Sequence, residues 1–200
     1  MPTINTADLF NKDAFSDLTL TYGTRHFHAH QLVLATQSDY FRKLCSPAPN
    51  ALLSESAGRK TIKLEGDAED AVEAMLRWIY TFEYDAGPLR FTAEAFTWHY
   101  EVWATAEKYG LPKLANLARG RVEVLGSRCG VDVLVQILGM GRGEEGERCY
   151  REFVLELLFR DDAFSLRRLR GLLRDEGFLR FVGGDGEVGV RVIRVLRDGV

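Results

Sequence analysis

The chain has 200 residues, 46% hydrophobic and 28% charged, with a formal net charge of −3. That is enough apolar material for one domain with an appendage or for two small domains, and it leaves no bulk attraction to nucleic acid or anionic membrane. The three cysteines, Cys45, Cys129 and Cys149, are far apart with no C-x-x-C pair, so neither a disulfide framework nor a cysteine-based zinc site is suggested.

In chain order, Leu9, Phe10 and Phe15 mark the apolar side of a short N-terminal helical segment, residues 1–15. From Asp17 to Tyr22 apolar and polar residues alternate, placing Leu18, Leu20 and Tyr22 on one face of a half-buried strand. Gly23-Thr24 supplies a turn and Arg25 to Ala29 a returning strand. A helix is expected from about His30, carrying Leu32, Val33 and Leu34, and Ser38 reads as the N-cap of a second one bearing Tyr40, Phe41, Leu44 and Cys45. Residues 46–59 are loop-like, and Lys60 to Leu64 alternates as a third strand.

Asp67 is expected to cap a helix whose apolar stripe is Ala68, Ala71, Val72, Met75, Leu76 and Ile79. Thr92 is expected to cap an aromatic-rich helix with Phe96, Trp98, Tyr100 and Trp103 mostly in the core. It should end at Gly110, a left-handed position, with Pro112 opening the next helix, buried through Leu114, Leu117, Ala118, Val122 and Leu125. Composition shifts near Gly126, after which every basic residue is arginine. Helices are expected over Val131–Leu138, Tyr150–Phe159 and around Leu166, Leu169, Leu172 and Leu173. The stretch from Phe178 to Val200 fits either a hairpin around Gly183-Gly184-Asp185-Gly186 or a helix.

Several ordered motifs coincide. Ser16-Asp17-Leu18-Thr19-Leu20 precedes Phe27-His28-Ala29-His30-Gln31-Leu32-Val33-Leu34-Ala35 and Ser38-Asp39-Tyr40-Phe41-Arg42-Lys43-Leu44. Later come Glu55-Ser56, Ala71 through Tyr80, and Ala104-Thr105-Ala106-Glu107-Lys108-Tyr109-Gly110-Leu111-Pro112. This series resembles the BTB/POZ domain, particularly the versions of filamentous fungi. The resemblance spans about residues 16–125, so the expected organisation is a short helical segment at 1–15, a BTB/POZ domain at 16–126 and a mainly helical extension of unknown role at 127–200. The implied fold class is α+β, a small mixed sheet capped by a helical cluster.

The resemblance implies binding of protein partners, with no enzymatic role. In relatives that recruit a cullin-3 ubiquitin ligase scaffold, an apolar-x-Glu motif follows the early helices; Leu53-Ser54-Glu55 stands there, and Phe41 and Leu44 would add neighbouring apolar area. A homodimer would use Leu9 and Phe10 with Leu32 and Leu34. Asp17 and His30 are expected to be structural, satisfying nearby polar groups. An oligomerisation scaffold in transcriptional regulation and a nucleotide-binding enzyme remain as alternatives.

No catalytic constellation, cofactor site or metal site is expected. His26, His28 and His30 alternate, but no cysteine or further histidine lies near them. Gly184 to Gly189 matches the spacing of a dinucleotide fingerprint without its flanking strand and distal acid, and Asp185 and Glu187 would repel a pyrophosphate, so a turn is expected. Arg167, Arg168, Arg170 and Arg174 are balanced by acids over the whole C-terminal stretch, which favours a solvated helix face over nucleic-acid binding. Without a leader, a membrane span or a glycosylation sequon in the sequence, the expected setting is the cytoplasm or nucleus.

Overall fold

The computed structural model of the chain describes residues 5–46, 60–84, 92–129, 133, 136, 155, 169–184, 186, 189–190 and 192. Strands β1 (Leu18–Tyr22) and β2 (Arg25–Ala29) pair antiparallel from Leu18↔Ala29 to Tyr22↔Arg25. That register leaves only Gly23-Thr24 to turn the chain. Gly23 takes φ +51°, a left-handed conformation that favours glycine, and a Cβ there would lie 1.8 Å from Glu69 Oε1 and displace that side chain. The same carboxylate oxygen accepts the Thr24 N–H at 2.8 Å, which fastens the hairpin tip to a later helix. Strand β3 (Lys60–Leu64) runs parallel along the other side of β1, giving a mixed sheet in the order β2-β1-β3.

The sheet's inner face presents Leu18, Leu20, Tyr22, Phe27 and Ala29, all buried. Helices α1 (Gln31–Gln37) and α2 (Asp39–Cys45) meet at Ser38. Its hydroxyl accepts the Phe41 N–H at 3.2 Å and donates to the Tyr109 carbonyl at 2.6 Å, capping α2 as the sequence predicts and tying it to a segment 71 residues away.

Helix α3 (Glu69–Thr81) buries Ala71, Val72, Met75, Leu76 and Ile79 along the predicted stripe, together with Trp78 and Tyr80. Its N-cap is Ala68. The expected cap, Asp67, instead accepts hydrogen bonds from the Tyr109 hydroxyl and Lys108 Nζ, both at 2.7 Å. The carboxylate finds stronger, charge-assisted partners in the tertiary fold than the free amides of the first turn offer.

Helix α4 (Ala93–Lys108) begins after Thr92, whose Oγ1 accepts the Ala95 N–H at 3.2 Å. It ends in a left-handed Gly110 at φ +67°, with Gly110 N–H donating to Glu107 O and Leu111 N–H to Ala106 O. This is the paired 5→2 and 6→1 closure of a Schellman motif. Pro112 then starts α5 (Pro112–Arg128). Leu114, Ala118, Val122 and Leu125 are buried as predicted, but Leu117 is half exposed: the helical repeat carries it off the apolar face.

The chain divides into two units, one made of Met1–Gly87 with Trp98–Gly120 and the other of Pro88–Thr97 with Arg121–Val200. The sheet and α1–α3 lie in the first, with Trp98, Tyr100 and Trp103 of α4. Among the described residues of the second, Phe96, Val122, Leu125, Leu155, Leu169, Leu172, Phe178 and Val192 are buried. A helix, Glu176–Gly184, decides between the two sequence readings of the tail. Gly186 and Gly189 are helical too, so the turn expected over these glycines is not formed. Asp175 accepts the Phe178 N–H at 3.0 Å and Phe178 is fully buried; a cap and an apolar anchor outweigh the low helix propensity of glycine.

Candidate partner-docking surfaces

The N-terminal segment is bound to the first unit before any partner is considered. Thr6–Leu9 is a 3-10 helix capped by Asn5, and Thr6 Oγ1 donates to the Tyr80 carbonyl at 2.7 Å. Phe10 packs edge-on against Phe27 and Tyr80, with ring centroids at 5.0 and 5.9 Å, and the Arg77 guanidinium lies 4.8 Å from its ring centre. Leu9 and Phe10 are therefore half-buried members of the core's rim, spending on their own chain much of the area expected for a dimer. Phe15, expected beside them, instead sits at φ +62° with 80% of its surface exposed.

Asp17 and His30 hold the junction between the hairpin and α1. Asp17 Oδ1 accepts the Gln31 N–H at 2.8 Å, satisfying a free amide at the helix start. His30 Nε2 lies 2.9 Å from the Ala14 carbonyl, which can only accept, so Nε2 carries the proton. Nδ1 then accepts from the Tyr80 hydroxyl at 3.0 Å, and that hydroxyl accepts the His30 backbone N–H, also at 3.0 Å. The three alternating histidines do not converge. His30 is used in this way, while His28 Nδ1 faces Asp13 at 3.6 Å, and among the described residues no group of metal-ligating side chains assembles.

Two residues expected on partner surfaces are corrected by burial. Leu34 and Phe41 are both 0% exposed. On a seven-residue helix only the outward stripe is free, and each of these points inward: Leu34 into the core and Phe41 into a stack with Tyr109, rings 5.5 Å apart and 3° from parallel. The apolar side chain that α1 shows to solvent is Leu32, 77% exposed.

On α2, beside the exposed Asp39, Arg42 and Lys43, the apolar surface comes from Tyr40, 41% exposed, and Leu44, half-buried four positions later. Tyr40 meets Tyr109 edge-on at 4.9 Å. Tyr109 is itself fixed by its hydroxyl on Asp67 and by Ser38 on its carbonyl; burial first, then the Asp67 carboxylate, raises its pKa above the ordinary tyrosine range. Tyr40 is thus an aromatic held in place on a rigid base, the kind of anchor that concentrates binding energy at little entropic cost. The sequence reading passed over it as a partner residue, although its i, i+4 spacing to Leu44 was visible. Leu53 and Glu55 lie outside the described residues.

A family model described as the BTB/POZ domain matches residues 6–120. Among curated proteins, human Rabankyrin-5 is 33% identical over 133 residues, covering 66% of this chain and 9% of that protein. BTB/POZ domain-containing protein 1 of Schizosaccharomyces pombe is 31% identical over 113 residues, 53% of this chain and 8% of the relative. Mouse BTB/POZ domain-containing protein 9 is 30% identical over 104 residues, 52% and 16% respectively. The chain spans less than a fifth of each of these relatives.

Proposed function

Because the chain belongs to the BTB/POZ family, whose domain is a protein–protein interaction module, we propose that it serves as a substrate adaptor for a cullin-3 ubiquitin ligase. The outer face of α2, with Leu53 and Glu55 of the following segment, would meet the scaffold. The observation that carries the reading is Tyr40, exposed beside Leu44 and seated on the fixed ring of Tyr109. Apolar burial at Tyr40, Leu44 and Leu53 would supply the affinity, with Glu55 accepting hydrogen bonds at the rim. A pull-down with cullin-3 tests it. Capture by the unmodified chain and loss with Leu53→Asp plus Glu55→Lys are expected; no capture by the unmodified chain rejects it.

A second reading, a homo- or hetero-oligomerisation scaffold in transcriptional regulation, is favoured by Leu32, the exposed apolar residue of α1. Its dimer surface would be Leu32 with the rims of Leu9 and Phe10, without Leu34. Light scattering on the eluted chain tests it, a monomer at tens of micromolar ending the proposal. A nucleotide-binding enzyme is disfavoured: Gly184, Gly186 and Gly189 lie on helical backbone, where no strand-to-helix phosphate loop can form around them. Among the described residues no helix is long and apolar enough to cross a membrane. The free thiol of Cys45 suits the reducing cytoplasm or nucleus in which such an adaptor would act.

A further inference from the structure

Within the first unit, a groove of about 560 Å³ is lined by Arg25, Asp70, Glu73, Arg77, Glu83 and Trp98, with Ala74 and Tyr84 completing it. One wall is aromatic: Tyr84 and Trp98 lie 5.9 Å apart and 9° from parallel. The Tyr84 hydroxyl is fixed on His99 Nδ1 at 2.5 Å.

Its charges do not balance. Arg25 is saturated by three carboxylates: Nε by Glu69 at 3.1 Å, Nη2 by Asp70 at 2.7 Å and Nη1 by Glu73 at 2.6 Å. Arg77 faces Glu73 at 3.6 Å and stacks on Phe10. Both guanidiniums are therefore spent inside the protein. Glu83 lines the groove with no cation paired to it among the described residues.

We propose that this groove receives an arginine or lysine side chain from an extended basic segment of a protein partner. The cation would stack on the Trp98–Tyr84 wall, the best geometry for attraction to an aromatic face, and pair with Glu83. The surplus of carboxylates turns away nucleic acid and other anions, and the groove's volume suits one long side chain with its neighbours. This goes beyond the α2 reading, since α2 contributes no residue to the groove. A module with two separate surfaces can hold two proteins at once.

Fluorescence anisotropy on the full chain, with a short fluorescein-labelled peptide of alternating glycine and arginine, tests the proposal. The same peptide with citrulline, neutral and nearly the same shape, should bind about ten-fold more weakly. Glu83→Gln, which removes charge with little change in shape, should weaken the arginine peptide about three-fold. Tyr40→Ala should leave the affinity unchanged, which keeps failure here distinct from failure of the α2 reading. The idea is overturned if the arginine peptide does not bind, if citrulline binds equally well, or if Glu83→Gln binds like the unmodified chain.

Discussion

The Tyr80 hydroxyl lies 3.0 Å from both the backbone nitrogen and the ring Nδ1 of His30, joining α3 to the start of α1 across 50 residues of sequence. Both residues are buried, so water cannot replace these bonds. Tyr80→Phe strips His30 of one acceptor and one donor at once. A loss of about 2 kcal/mol in unfolding free energy is expected, read from the urea midpoint at constant slope.

The same hydroxyl sets a limit at high pH. Burial, the largest influence, pushes its pKa from 10.0 up to about 12. The folded state therefore holds a proton that the unfolded chain releases from pH 10 upward, so the stabilisation is complete below pH 10 and is lost as pH climbs toward 12. Tyr22 and Tyr109 are raised in the same direction. Melting temperatures measured across this range should fall with pH, and less steeply in Tyr80→Phe. Equal slopes in the two proteins would show that Tyr80 does not contribute.

Gly23→Ala should cost about 1–2 kcal/mol, because alanine resists φ +51°. It also drives its methyl against the Glu69 carboxylate. Adding Glu69→Ala should recover the steric share but not the conformational one, which denaturation of the single and double variants separates.

Neighbours on α2 should behave oppositely. Phe41→Ala empties a fully buried site stacked on Tyr109 and should lose about 3–5 kcal/mol of stability. Tyr40→Ala should barely move the melting curve yet weaken cullin-3 capture, if α2 is the docking face. A stable Phe41→Ala protein would contradict its placement.

On α1, Leu32→Glu should leave folding intact and shift any dimer toward monomer in light scattering, since Leu32 is exposed. Leu34→Glu should instead unfold the chain by burying an unpaired charge.

By itself the sequence determined the elements. Strict alternation at Leu18, Leu20 and Tyr22, the stripe from Ala71 to Ile79, the Ser38 cap and the Gly110–Pro112 break each act through neighbours a few residues away, so their periodicity and caps are readable in one dimension. Short helices are where that reading stops: the period of α1 and α2 is too brief to say which of Leu32 and Leu34, or Tyr40 and Phe41, turns inward. Only packing against Tyr109 and the sheet chose Leu34 and Phe41 for the core. Asp67 left its expected cap for the same reason, its best donors being more than 40 residues away. The groove belongs entirely to the tertiary structure, because Arg25, Glu83 and Trp98 share no local pattern. Opposite charges and aromatic faces interact through distance in space, which chain spacing does not encode.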